Sequence, residues 1–356
     1  MASRLPIDNY TWIRPSTQLK IAVIFVYIFL ISSPSSSSGD LFVNFYQTSC
    51  PGAEFMVRNT VRAASNNDPT IPGKLLRLLF HDCIVEGCDG SVLLDGKETE
   101  KSDPANTSLG GFAVVAAAKE LLELFCPSTV SCADIITLAA RDAVAIEFLW
   151  DVTISPDMSV CVQFGGPSVE VPTGRRDAKV SLASNVRPNM VDTSFTMDQM
   201  TQLFTSKGLS LDDLVVLSGA HTIGAAHCNA FSDRFQENSK GELTLADKAL
   251  DKVFASELMK RCPASASASI TVNNDPGTSF VFDNQYYKNL IAHKGLFQSD
   301  SVLFSDARTK KLVEELSDNQ DTFFQKWGDS FVRLSSVGVK TGDQGEIRRS
   351  CNVINQ

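Results

Sequence analysis

Four histidines occur in the chain, and two of them sit among residues whose types and spacing could do chemistry. His81 ends the run Leu75-Leu76-Arg77-Leu78-Leu79-Phe80-His81, so Arg77 precedes it by one helical turn and shares its face. A neutral imidazole can take a proton from one atom and return it to another, a role worth about 10²–10⁴-fold in rate. A guanidinium stays charged and planar, and it can stabilise charge developing on a leaving oxygen. The pair suits heterolysis of a peroxide O–O bond, with Phe80 as an apolar wall. His221 closes the apolar stretch Leu211-Asp-Asp-Leu-Val-Val-Leu-Ser-Gly-Ala-His221. Small neighbours there would let a flat macrocycle approach, with the imidazole holding its iron from below. The plain alternatives are a surface arginine beside a core histidine at 77–81, and a carbonyl-satisfied core histidine at 221. His227 and His293 have no such context and read as surface or ordinary core residues.

Directly after His81 the chain reads Asp82-Cys83-Ile84-Val85-Glu86-Gly87-Cys88-Asp89-Gly90-Ser91. Oxygens of Asp82, Val85, Gly87, Asp89 and Ser91, from side chains and backbone, form a plausible cage for a hard cation such as calcium. Cys83 and Cys88 are close enough to staple that loop.

The elements that must position these groups are mainly helical by periodicity. A helix opening at Ser49-Cys50-Pro51 runs through Val57, Val61 and Ala64 to a stop at Asn66-Asn67-Asp68-Pro69, and a second runs from about Gly73 through His81. Further amphipathic helices are predicted at 112–125, 132–146, 196–206, 211–217, 246–261, 284–293, 306–316 and 320–336. Strand signals are short, near 338–341 and 345–348. The fold class is mainly α, with few short strands.

Composition bounds the setting. The apolar fraction of 43% over 356 residues allows a large core. Lys20 to Ile31 is an apolar run of signal-peptide length behind Arg4, Arg14 and Lys20, followed by the Ser-rich stretch 32–39. It falls short of the ~20 apolar residues of a spanning helix, though an uncleaved anchor is the competing reading. The expected organisation is a signal peptide and cleavage region at 1–39 and one domain at 40–356, with no membrane association after signal removal. A net charge of −9 argues against nucleic acid as a partner. Nine cysteines behind a leader imply an oxidising compartment, and eight could pair in on the order of a hundred ways.

The segment around His81 closely resembles the distal motif of the secreted plant haem peroxidases, class III. Ser218-Gly219-Ala220-His221-Thr222-Ile223-Gly224 is similar to that family's proximal motif, and the likeness extends from Phe45-Tyr46 to Arg348-Arg-Ser-Cys351. It implies a haem-peroxidase fold with one haem b between distal and proximal halves, and two calcium ions. His81 would be the distal acid–base, Arg77 its partner, Phe80 the guard of the haem edge and Asn106 the amide that orients His81. His221 would be the axial iron ligand, with Asp300 accepting from its other nitrogen. Asp82, Val85, Gly87, Asp89 and Ser91 would hold one calcium, and Thr222, Asp275, Thr278, Val281 and Asp283 the other. Pro188 aligns with a substrate-contacting proline, and Arg187 beside it could favour an anionic phenolic. The implied disulfides are Cys50–Cys126, Cys83–Cys88, Cys132–Cys351 and Cys228–Cys262. The implied activity is reduction of hydrogen peroxide with one-electron oxidation of two small phenolic donors, by a monomer secreted to the cell wall, apoplast or vacuole. Asn106-Thr107-Ser108 is also a glycosylation sequon, which should stay unmodified if Asn106 faces the pocket.

One tract breaks the resemblance. Gly165-Gly166-Pro167 arrives late, after an extra stretch at about 147–162 that contains the odd cysteine, Cys161. This reads as an aberrant insertion, such as retained intron sequence; a transcript containing it would contradict that, and a genuine extra surface loop is the alternative. The insertion also motivates a rival reading, a catalytically impaired secreted protein of the same fold that binds or lines the wall. A metal hydrolase built on His81, Asp82 and the cysteines is disfavoured, because disulfides would consume the thiols.

Overall fold

Every residue from Cys132 to Val144 is buried, on all faces of one helix. A helix apolar all round belongs in the centre of a domain, and the others pack about it. The computed structural model describes residues 41–145, 165–267 and 269–356. The expected leader at 1–39 and the tract 147–162 with Cys161 lie outside those residues.

In chain order the helices are α1 (Ala53–Asn67), α2 (Ile71–Val85), α3 (Phe112–Phe125), α4 (Cys132–Ala145), α5 (Val186–Asn189), α6 (Met197–Ser206), α7 (Leu211–Ser218), α8 (Lys252–Arg261), α9 (Gln285–Ile291), α10 (Gln298–Ser305), α11 (Lys310–Asp318) and α12 (Gln320–Ser335). Strand is confined to two antiparallel ribbons, β1 (Ala225–His227) with β4 (Thr271–Asn273), and β2 (Phe235–Glu237) with β3 (Leu243–Leu245). The mainly α class therefore holds. The strands predicted near 338–341 and 345–348 do not form; Lys340 and Glu346 make only isolated bridges to Arg176 and Asp177. Gly338, Gly342 and Gly345 have φ of 56°, 57° and 68°, which breaks the extended run.

Polar groups inside α4 are paired, as burial demands. Asp134 and Arg175, both fully buried, meet at 2.7 Å, and the Tyr46 hydroxyl donates to the same carboxylate at 2.6 Å. Against α4 lies α2, with Pro72 in its first turn, where the missing N–H costs nothing. Leu75, Leu78, Leu79 and Ile84 are buried, so truncating one to Ala would cost about 2–5 kcal/mol. The turn containing Arg77 and Phe80 is left facing outward. Contrary to the expected exit after His81, α2 continues to Val85, because Ile84 and Val85 still have core to fill.

A second apolar cluster, around Phe231, Phe235, Phe254, Leu258, Leu296 and Phe297, supports the segment that follows His221. The two segments carrying the histidines touch through glycine. A Cβ on Gly73, in the first turn of α2, would fall 2.8 Å from the Cα of Gly224, whose own φ is +92°. All four implied disulfides are present: Cys50–Cys126, Cys83–Cys88, Cys132–Cys351 and Cys228–Cys262. The third ties residues 219 apart, anchoring the C-terminal tail on α4.

Candidate functional site

His81 is buried, and its Nδ1–H donates to Asn106 Oδ1 at 2.7 Å. The amide's orientation is set independently, since Asn106 Nδ2 donates to the Glu100 carbonyl at 2.8 Å. An acceptor held on Nδ1 keeps the proton there and leaves Nε2 as a free base. Burial first, and the Arg77 charge second, push the His81 pKa down to about 3, against the raising effect of Asn106. Neutral imidazole is therefore the resting form. Arg77 is exposed, yet enough protein surrounds its guanidinium for desolvation to lower its pKa. Phe80 is half-buried, 6.2 Å from both the His81 and Phe204 rings.

The loop after α2 gathers negative charge. Asp82, Asp89, Ser91 and Glu100 are fully buried. Asp82 accepts from the Gly90 and Val92 amides, and Asp89 from the Ser91 amide and the Lys340 ammonium. Burial, reinforced by Asp89 and Glu100, holds the Asp82 carboxyl well above its ordinary range. Burial also raises Glu100 to about 8, with the help of the Asp89 and Glu86 charges. Both Glu100 carboxylate oxygens and Ser91 Oγ lack a hydrogen-bond partner. Buried oxygens of one charge without donors are what a hard cation would satisfy. Glu100 was not anticipated from sequence, where it reads as one of several charges in Lys97-Glu98-Thr99-Glu100-Lys101. The usable signal is its place six residues before Asn106, whose amide it fixes. Val85 and Gly87 contribute only backbone to this loop, and the Val85 carbonyl also accepts from Lys207 at 2.8 Å.

On the other side, α7 ends in a tight turn, Gly219–Thr222, that presents His221. A Cβ on Gly219 would fall 2.5 Å from the Tyr287 hydroxyl and 2.7 Å from the Phe323 ring, so its bareness serves the aromatic core behind the turn. His221 Nδ1–H donates to Asp300 Oδ1 at 2.9 Å, and Tyr286 Oη donates to the same oxygen at 2.8 Å. The Phe297 amide holds Asp300 Oδ2 at 3.0 Å. Burial would raise the Asp300 carboxyl, but His221, the Phe297 amide and Tyr286 outweigh it and keep the pKa below the ordinary value. Asp300 is thus an anion, carried on α10, an element the sequence reading did not anticipate. With Nδ1 committed and the His221 side chain 38% exposed, its Nε2 is free for a metal.

Next to His221, the Thr222 hydroxyl reaches Asp283 at 2.9 Å, and the Thr278 hydroxyl reaches Asp275 and Asp283 at 3.2 Å each. Val281 completes the turn through its amide on Thr278. Two carboxylates and two hydroxyls therefore converge from residues up to 61 positions apart. Among the described residues no three His, Cys, Asp or Glu side chains could hold a metal alone. Both expected ion sites need hydroxyl and backbone oxygens as well, which is ordinary for calcium. Pro188 lies exposed on α5, beside Arg187, which stands 3.6 Å from Asp103.

The family model described as Peroxidase matches residues 57–319. Peroxidase 46 of Arabidopsis thaliana is 57% identical over 96% of this chain and 99% of its own length. Peroxidase 18 of the same plant is 58% identical over 90% and 93%, and Peroxidase 5 of Vitis vinifera 39% over 94% and 97%. The chain therefore belongs to the plant haem peroxidases, oxidoreductases of the peroxidase class.

Proposed function

We propose that the enzyme reduces hydrogen peroxide to two waters, taking one electron and one proton from each of two small phenolic donors. The observation that carries this reading is the pair of histidines held in opposite ways, His81 by an amide and His221 by a carboxylate, each with Nε2 uncommitted. Bound haem would supply the iron-centred redox chemistry that the side chains lack. His221 Nε2 would hold the haem iron, and Asp300 would lend the imidazole anionic character.

His81 Nε2 takes the proton from the near oxygen of peroxide and returns it to the far one. Arg77 stabilises the charge on the far oxygen as the bond breaks. Asn106 keeps the His81 proton on Nδ1, so that Nε2 remains the base. Phe80 walls the cleft, and Pro188 with Arg187 forms the donor-side rim. Asp82, Val85, Gly87, Asp89 and Ser91 would hold one calcium, with the unpartnered Glu100 carboxylate buried nearby. Thr222, Asp275, Thr278, Val281 and Asp283 would hold the second.

Residues 40–356 form the catalytic domain, and 1–39 direct secretion to the cell wall, apoplast or vacuole, where the chain acts as a monomer. No helix among the described residues is long and apolar enough to cross a membrane. The test is the Soret spectrum of purified protein with haem and calcium. One equivalent of hydrogen peroxide should shift the ferric band promptly, and a phenol should return it. A folded protein that takes up no haem would refute the reading.

A further inference from the structure

Arg77 has an unusual set of partners for a guanidinium. Nη1 donates to the Ser108 carbonyl at 3.2 Å and to Ser108 Oγ at 3.0 Å, and Nη2 donates to the Ala105 carbonyl at 3.2 Å. No carboxylate pairs with it among the described residues, whereas the buried Arg141, Arg175, Arg234 and Arg348 each have one. Neutral acceptors fix a long side chain without cancelling its charge. A carboxylate would fix it as well, but would neutralise the field that a developing oxyanion needs.

The turn that grips Arg77 also grips His81. Asn106, between Ala105 and Ser108, accepts from His81 Nδ1. The turn is itself pinned: Asp103 accepts from the Ala105 amide at 2.8 Å through its side chain and from the Asn106 amide at 2.9 Å through its carbonyl. The Asn106 carbonyl then accepts from Leu109 at 3.0 Å. Asp103 in turn stands by Arg187 on α5.

We propose that Ser108 is a positioning residue for Arg77, and that Ala105–Ser108 is one scaffold setting the distal base and the distal cation relative to each other. The tripeptide Asn106-Thr107-Ser108 is then a catalytic tether in place of a glycan acceptor. Asn106 is 2% exposed, leaving no room for a sugar on its amide. This inference rests on the role proposed above for Arg77.

Ser108→Ala, Ser108→Thr and Arg77→Leu test it in the haem- and calcium-loaded enzyme. Two quantities are read: the second-order rate constant with hydrogen peroxide, and the affinity of the ferric enzyme for fluoride. Fluoride is a small anion that needs the guanidinium as a donor and involves no turnover. Loss of one of three hydrogen bonds should lower both by about three- to tenfold in Ser108→Ala. Ser108→Thr, which keeps the hydroxyl and the sequon, should restore both. Ser108 is exposed, so the melting temperature should not change.

If Arg77→Leu lowers both quantities and Ser108→Ala lowers neither, the tether is wrong while the distal reading stands. If Arg77→Leu changes neither, the role of Arg77 fails and takes this inference with it. A glycan on Asn106, found by mass spectrometry of the purified protein, would also overturn it.

Discussion

The two site histidines are the same imidazole in opposite surroundings. His81 is buried beside a cation and gives its Nδ1 proton to a neutral amide, so every influence but one keeps the ring uncharged. His221 is partly open and gives its Nδ1 proton to a buried carboxylate that two further donors hold anionic. In the proposed cycle the first ring is a proton carrier that must not bind metal strongly, and the second is an electron-rich ligand that must not leave it. Beside burial and the Arg77 charge, the difference lies in the atom opposite Nδ1, and exchanging those atoms should blur the two roles.

The largest effect should come from removing the distal ring. His81→Leu should slow the reaction with peroxide by about 10²–10⁴-fold or more, by stopped flow, with the haem still bound. Asp300→Asn makes the proximal side resemble the distal one; it should raise the iron reduction potential and slow the peroxide reaction by about 10–100-fold. An unchanged potential would mean that Asp300 only packs.

The converse exchange, Asn106→Asp, places a carboxylate on His81. With its pKa near 3, wild-type His81 stays neutral across mildly acid pH, so the peroxide rate should be flat from pH 7 to about 4. In Asn106→Asp the His81 pKa should rise, and the rate at pH 5 should drop about tenfold while changing less at pH 8. The same depression has a stability consequence. The unfolded ring, with a pKa of 6.5, binds a proton more readily than the folded one, so stability is lost as pH falls from that value toward 3. Asn106→Asp should flatten that acid limb.

A smaller effect, on stability, is expected from chelation. Stripping calcium leaves Asp82, Asp89 and Glu100 repelling one another below His81, and the melting temperature should fall by about 5–10 °C. Glu100→Gln should reduce the distal repulsion and narrow that gap. A chelator without effect on melting would argue against both ion sites.

What could be read from the sequence was what is local. Arg77 and His81 are one turn apart, and Thr278, Val281 and Asp283 lie within six residues of one another, so spacing alone brings them together. Long runs of apolar period gave away α2, α3, α4 and α12. Partners that depend on tertiary packing were hidden. The Asp300 helix, Gln298–Ser305, is short and polar on several sides, with little amphipathic pattern to reveal it. Glu100 shows its role only by being buried next to Asp82 and Asp89. The grip of Ser108 on Arg77 spans 31 residues and combines a hydroxyl with a backbone carbonyl, so no local spacing reveals it. The tail strands misled because β-like residues alternate there with glycines that turn the chain back.

The most direct measurement of the account is the protonation of the histidine rings themselves, by ¹⁵N NMR of the haem- and calcium-loaded protein in its diamagnetic ferrous carbon monoxide form. Only four histidines need assignment, each by single substitution. His81 should carry one proton, on Nδ1, down to about pH 4, and the His221 Nδ1 shift should move sharply on Asp300→Asn. A His81 ring that titrates near 6.5, or that carries its proton on Nε2, would contradict the claim that the partner of Nδ1 sets the two roles.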